Sequence, residues 1–233
     1  MSCLCNLKCI YCPHPKSWRE KGLMSIETFI RCMELIKKLN QKWVCLHNFG
    51  EPLLHPQIED IIKIARKYVD YVYFSTNGTL LSREKAIRLK ECGLSKIILA
   101  NHDSISTEKA ISSCRGLDIV AGILNDFYLD WAGTSGRHPL HYRPTGYMGR
   151  PNGCKAFIEE EVVVVLWDGR INSCCVDMEG LGIVGNVYDE NAIAVKPKKF
   201  TLCEHCNIDW VDSSGIKQIE NYIESNMLAR QNS

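Results

Sequence analysis

The chain has 233 residues, of which 28 are basic and 27 acidic, and its formal net charge is +1. This balance excludes the basic surface typical of nucleic-acid and membrane-surface binding proteins, and we expect neither partner. No apolar run approaches the roughly 20 residues that span a bilayer, so we expect a cytoplasmic protein. Its 13 cysteines are more than a reducing compartment needs for structure, which indicates metal or redox chemistry.

The first half of the chain alternates between helix and strand patterns. Ser25 is predicted to cap a helix whose apolar positions recur at helical spacing as far as Leu39. Alternation of this kind predicts an α/β fold with a parallel sheet covered by helices. The predicted strands are Trp43 to Phe49, Tyr71 to Phe74 and Lys96 to Ala100, and the further helices are Ile58 to Ala65 and Ser82 to Cys92.

The pattern changes in the last third of the chain. Periodicity weakens from Gly116 to Asn152, so we predict a boundary near residue 150, with domains 1–150 and 151–233. In the second domain, two β-rich runs, 162–167 and 171–175, flank Asp168-Gly169, which is a strong signal for a β-hairpin. A helix is predicted over 214–225, after the last cysteine pair.

Three cysteines at the start of the chain, Cys5, Cys9 and Cys12, lie on one short segment. A four-iron cluster held by three thiolates leaves one iron open, whereas electron-transfer clusters are usually closed by four cysteines. A zinc site is the alternative, but structural zinc takes four ligands. The spacing, with the aromatic Tyr11 before the last cysteine, resembles the radical S-adenosylmethionine (radical SAM) superfamily. The resemblance implies a 4Fe-4S cluster whose open iron binds SAM, and a partial (β/α)6 TIM-type barrel.

Two further segments follow predicted strands and resemble SAM-binding segments of that superfamily. Gly50-Glu51-Pro52 ends the first strand, where Gly50 permits close backbone approach and Glu51 offers an anionic acceptor for the SAM ammonium group. Ser75 and Asn77 lie at the end of the next strand. Carboxyl ends of parallel strands carry the chemistry of TIM-type barrels, so we expect these groups to face one cavity.

A second cysteine set in the last third has the spacing C-x19-C-x28-C-x2-C. Four thiolates can close a second 4Fe-4S cluster, and this region resembles the twitch, a short form of the SPASM auxiliary-cluster domain. A zinc ribbon is the competing interpretation. Cys175 is a rival for the second ligand. The predicted ligands are Cys154, Cys174, Cys203 and Cys206.

The order and length of these features resemble the twitch-containing dehydrogenases of aminoglycoside biosynthesis. That resemblance implies oxidation of a sugar-like or cyclitol secondary alcohol, with Arg137, or else Arg143, holding the substrate. His102 follows a predicted strand and is the candidate acid or base. We expect a small-molecule or peptide substrate and an electron donor such as flavodoxin or ferredoxin.

Two other functions remain open at this point. Epimerisation or crosslinking of a ribosomal peptide is the main alternative, although only four residues precede Cys5, which favours a small molecule. A plain electron carrier with two clusters would not need an open iron or the Gly-Glu-Pro segment. The segment Met1 to Leu4 is also shorter than a normal strand of about five residues, so the barrel is expected to lack its first strand or the recorded chain to start late.

Overall fold

The computed structural model describes residues 1–9, 12–124, 164–175, 177–194, 198 and 200. Its larger sheet has four parallel strands in the order β1-β2-β3-β4, so each strand pairs with the next one along the chain. This arrangement confirms the predicted α/β class. The strands are β1 (Trp43–Cys45), β2 (Tyr71–Thr76), β3 (Lys96–Ala100) and β4 (Val120–Leu124).

Four helices alternate with these strands, and three of them begin at side-chain caps. Ser25, Ser82 and Asp103 each accept a hydrogen bond from the backbone N–H three residues later, which satisfies a free donor of the first turn. The cap at Ser25 confirms the prediction from the sequence. The helices are α1 (Ile26–Lys38), α2 (Ile58–Ala65), α3 (Arg83–Glu91) and α4 (Ser104–Cys114). Among the described residues, none of the helices is long and apolar enough to cross a bilayer.

The core lies between the sheet and its helices. Phe74, Ile97 and Leu99 of β2 and β3 have at most 1% of their surface exposed, and they pack in one cluster with Ile61 and Ile62 of α2. Burying a side chain of this size contributes about 1.5–3 kcal/mol. The sequences of the central strands are largely apolar because helices of the core cover these strands.

A second sheet confirms the predicted hairpin. Its three antiparallel strands are β5 (Val164–Val165), β6 (Arg170–Asn172) and β7 (Ile183–Asn186). At the turn, Gly169 has φ +86° and the Asp168 carboxylate accepts hydrogen bonds from Arg170. Ile171 and Val187 belong to the same core cluster as α1 and α2, so the two sheets share one interior. The predicted boundary near residue 150 lies outside the described residues.

Residues 17–22, which follow the first cysteines, contact the second sheet and its loops. Ser17 Oγ and the Arg19 backbone N–H donate to the Glu179 carboxylate at 2.9 and 3.1 Å. The Trp167 indole N–H donates to the Glu20 carbonyl at 3.1 Å, and its ring packs on Gly22 so closely that a Cβ there would lie 2.5 Å away. The second sheet therefore supports the chain just beyond the first cysteine loop.

The first four residues form a short extended segment rather than a full strand. Ser2 pairs with Leu23 in an isolated antiparallel bridge, and the Leu4 carbonyl accepts from the Glu51 N–H. Gly50 has φ +99°, and a Cβ at this position would lie 2.6 Å from the Ser2 carbonyl oxygen. Glycine is therefore required here, because the chain's own first residues approach its backbone.

Candidate active site

The three cysteines of the first loop are half-buried and lie near one another. The Leu7 N–H points at Cys5 Sγ at 3.5 Å, and the Cys12 N–H donates to the Cys9 carbonyl at 3.1 Å. Burial, together with the charges of Cys9 and Cys5, raises the pKa of the Cys12 thiol to about 11. Burial likewise raises the pKa of Cys5, with contributions from Glu51 and Cys9.

This loop fits the iron–sulfur cluster that the sequence predicts. The charge of Cys9 raises the pKa of both Cys5 and Cys12, so the three sulfurs lie close to one another, and a backbone N–H is directed at one of them. Because the pKa values of Cys5 and Cys12 are raised, binding of iron must displace protons from these thiols. Within the described part of the chain, no group of three or more His, Cys, Asp or Glu residues is arranged to hold a single metal ion.

Asn6, inside the cysteine loop, is joined to the end of β2 by a polar network. Asn77 Nδ2 donates to Asn6 Oδ1 at 2.9 Å, and Asn6 Nδ2 donates to Thr79 Oγ1 at 2.8 Å. The Thr79 hydroxyl donates in turn to Asn77 Oδ1 at 2.7 Å, which closes the network. Asn77 was predicted at the site, whereas Asn6 and Thr79 were not. The network fixes the loop against the carboxyl end of the sheet.

Glu51 is buried beneath this network, with 1% of its surface exposed. Its carboxylate accepts hydrogen bonds from the Leu53 N–H at 2.9 Å, the Thr76 hydroxyl at 2.7 Å and the Asn77 N–H at 2.8 Å. Burial raises the pKa of Glu51, and these three donors oppose that shift. An ionised carboxylate has about four acceptor positions, so about one remains for a ligand.

The neighbours of Glu51 adopt the geometry that a strand end requires. Pro52 is buried and opens a 3₁₀ turn, Pro52–Leu54, for which Glu51 supplies the cap. Ser75 is half-buried in β2 and points to the opposite face from Thr76, because successive side chains alternate along a strand. Thr76 was not predicted at the site, although it holds Glu51.

Two histidines lie just beyond the carboxyl ends of β1 and β3, the strands on either side of β2. His102, two residues after β3, is half-buried, and its Nδ1 lies 3.5 Å from Cys9 Sγ. Burial lowers its pKa, and the charge of Asp103 opposes this. His47, two residues after β1, was not predicted at the site. Burial, together with the Met1 ammonium group, lowers the pKa of His47 to about 4.

Comparison with known proteins identifies the family to which this site belongs. The model of the radical SAM superfamily matches residues 1–122. The chain belongs to the radical SAM superfamily. The match covers the three cysteines, the Gly-Glu-Pro segment, the first three strands of the parallel sheet and the start of β4.

This radical SAM chain is similar to several curated proteins, but the similarity covers only part of the length of each. A tungsten-containing aldehyde ferredoxin oxidoreductase cofactor-modifying protein of Pyrococcus furiosus is 33% identical over 92 residues, 39% of this chain and 26% of that protein. A GTP 3',8-cyclase of Chlorobaculum tepidum is 31% identical, covering 48% of this chain and 33% of that protein. The antilisterial bacteriocin subtilosin biosynthesis protein AlbA of Bacillus subtilis is 32% identical, and the match covers 45% of this chain and 23% of that protein. The matches thus span about a quarter to a third of each relative.

Solved structures support the fold over most of the chain. The crystal structure of BtrN in complex with AdoMet and 2-DOIA has a TM-score of 0.69 and covers 89% of this chain and 90% of that one, at 22% identity. An open conformation of BtrN has a TM-score of 0.58. This likeness confirms the predicted fold class, a partial TIM-type barrel of the radical SAM kind.

Cys174 and Cys175, candidates for the second cluster of this radical SAM chain, follow β6 and are half-buried. Cys175 packs against the buried side chains of Val164 and Leu166. The next turn is shaped by Asp177, which has 1% of its surface exposed and accepts from the N–H groups of Gly180 and Gly182. The remaining candidates lie outside the described residues: Tyr11, Arg137, Arg143, Cys154, Cys203 and Cys206.

Other cysteines have structural surroundings. Cys32, Cys92 and Cys114 are buried in the core, and their exposed fractions are at most 9%. Cys3 has 3% of its surface exposed, and its sulfur lies 3.3 Å from Nη2 of the buried Arg19. Cys45 is half-buried and its thiol donates to the His47 carbonyl at 3.4 Å.

Proposed function

We propose that this radical SAM enzyme carries out a two-electron oxidation of a sugar-like or cyclitol secondary alcohol. The observation that carries this proposal is the position of the two cysteine regions. The first cysteine loop is bonded to the carboxyl end of the parallel sheet through Asn6 and Asn77. Cys174 follows a strand of the second sheet, which shares its core with the first. An open cluster and a fully ligated one can therefore serve one reaction in one compact chain.

The residues of the first site have distinct tasks in this proposal. Cys5, Cys9 and Cys12 hold a 4Fe-4S cluster, and Asn6 keeps their loop in place. The cluster and SAM, when bound, supply one-electron cleavage of SAM to methionine and a 5'-deoxyadenosyl radical. SAM is oriented by Gly50, Glu51, Pro52, Ser75 and Asn77, together with Tyr11. The remaining acceptor position of Glu51 suits an ammonium group.

The oxidation removes two electrons and two protons from the alcohol. One hydrogen atom goes from the carbinol carbon to the 5' carbon of the deoxyadenosyl radical, giving 5'-deoxyadenosine. One electron goes to the second cluster, for which we propose Cys154, Cys174, Cys203 and Cys206 as ligands. The hydroxyl proton leaves to a base while Arg137 holds the oxygen, and His102 is the proposed acid or base. A flavodoxin or ferredoxin supplies the electron that starts each turnover.

Isotope labelling tests this proposal directly. An alcohol substrate deuterated at the reacting carbon is incubated anaerobically with the reconstituted enzyme, SAM and reductant. Deuterium should appear in 5'-deoxyadenosine, and the product should be lighter than the substrate by the deuterium and one hydrogen. A product that keeps its full number of hydrogens, with solvent hydrogen in place of the deuterium at the reacting carbon, would indicate epimerisation and refute the oxidation.

The cysteine assignment has its own test and control. Alanine at Cys5, Cys9 and Cys12 together should abolish 5'-deoxyadenosine formation, because the open cluster loses all its protein ligands. Cys92→Ala is the matched control, since Cys92 lies in the core and should retain the activity. Undiminished formation of 5'-deoxyadenosine by the triple variant contradicts the assignment.

Modification of a ribosomal peptide is the second candidate. The bacteriocin biosynthesis protein AlbA, 32% identical over 104 residues, favours it. A precursor peptide that gains a crosslink, or changes stereochemistry without losing mass, would support this reading over the alcohol oxidation.

A further inference from the structure

His102 makes a contact that an acid or base acting only on substrate does not need. Its Nδ1 lies 3.5 Å from Cys9 Sγ, although the two residues are 93 positions apart in the chain. This separation is suitable for an N–H···S hydrogen bond, for which sulfur permits longer distances than oxygen.

The position of the imidazole is fixed by the turn that joins β3 to α4. The His102 backbone N–H donates to the Ala100 carbonyl at 3.0 Å. The next residue, Asp103, is the cap of α4 and accepts from the Ser106 N–H at 2.8 Å. The backbone of His102 and the residue after it are therefore tied to regular structure, which fixes the point from which the ring extends toward the cysteine.

We propose that His102 is a positioning residue for Cys9, to whose sulfur it donates a hydrogen bond from Nδ1. This inference rests on the proposed function, because it requires a cluster on Cys5, Cys9 and Cys12. An iron-bound cysteine sulfur accepts hydrogen bonds but has no proton to donate, so the contact places the imidazole proton on Nδ1. The bond orients the Cys9 side chain as well as modifying its charge.

The bond has a direct consequence for the reduction potential. Reduction adds one electron to the cluster and increases negative charge on its sulfurs, so a hydrogen bond to a ligand sulfur stabilises the reduced form more than the oxidised form. His102 therefore raises the reduction potential of the SAM-binding cluster. Proton exchange between His102 and substrate then takes place at Nε2, because Nδ1 is occupied by Cys9.

The experiment compares two substitutions in the full-length, anaerobically reconstituted protein. His102→Asn places an amide N–H near the position of Nδ1, whereas His102→Leu fills similar space without a donor. The potential is measured by reductive titration followed by electron paramagnetic resonance. The signal that changes when SAM is added identifies the open cluster. We expect the leucine variant to shift to a more negative potential and the asparagine variant to lie close to wild type.

A matched control lies next to this histidine. Asn101 accepts a hydrogen bond from the Thr107 hydroxyl at 3.0 Å, and Asn101→Ala should leave the potential unchanged. An unchanged potential in His102→Leu, or an equal shift in His102→Asn and His102→Leu, overturns the inference while the proposed function stands. Absence of any SAM-sensitive signal in the wild-type protein, by contrast, overturns both.

Discussion

At the residue scale, sequence patterns located the groups with a strong local signature and missed those that depend on tertiary structure. Glu51 and Asn77 were found because each follows a predicted strand. Asn6 and Thr79 were not found, since their hydrogen bond joins positions 73 residues apart. A polar residue inside the cysteine loop was the available signal for Asn6. His47 lay inside the predicted strand Trp43 to Phe49 and gave no such signal, because β1 ends earlier, at Cys45.

His47 predicts a specific pH dependence of stability. Burial lowers its pKa from 6.5 to about 4 in the folded protein, so the unfolded chain takes up a proton first as pH falls. Stability should be unaffected by this group above its unfolded pKa, and should fall by at most about 3 kcal/mol as pH decreases through the folded value. His47→Gln should remove this dependence. The melting temperatures of wild type and variant, compared from about pH 7 to pH 5, measure the difference. Parallel curves would contradict the prediction.

At the element scale, the parallel sheet and the cap at Ser25 followed from the sequence, while the strand limits and helix α4 did not. β1 ends at Cys45 rather than Phe49, because the following residues turn to contact the segment Met1 to Leu4. β4, Val120–Leu124, was not predicted, since its apolar run is short and interrupted by Gly122. These limits are set by partners that are distant in sequence, which local propensity does not record.

Gly50 offers a test of how the initial segment is held. Gly50→Ala combines a strained φ of +99° with a Cβ placed 2.6 Å from the Ser2 carbonyl oxygen. Gly116→Ala is the matched control, because its φ is +74° but no atom lies within 4 Å of the added Cβ. Gly116→Ala should cost about 1 kcal/mol of stability from backbone strain alone, and Gly50→Ala clearly more. Thermal unfolding and iron content of both variants provide the measurement. Equal losses would mean that contact with Ser2 is unimportant.

At the scale of the whole molecule, the two sheets share one interior, and we propose a cysteine-bound cluster beside each of them. If each cysteine region holds a four-iron cluster, the reconstituted protein should bind about eight irons per chain. The double variant Cys9→Ala, Cys12→Ala should retain about four, because the second set is independent of the first. Metal analysis under anaerobic conditions distinguishes the possibilities. One zinc and no iron in the double variant would identify the second region as a zinc ribbon.

The contacts of residues 17–22 with Trp167 and Glu179 determine the order in which the molecule can mature. The first cysteines leave the ribosome early, but the side chains that support the adjoining segment come 147 to 162 positions later in the chain. At about 5–20 residues per second, synthesis of the intervening chain takes roughly 10–30 s. During this interval the segment after the cysteine loop lacks its contacts with the second sheet. We therefore expect iron to bind the first site after the second sheet has been translated. A nascent chain stalled before that sheet should be a poor acceptor for iron.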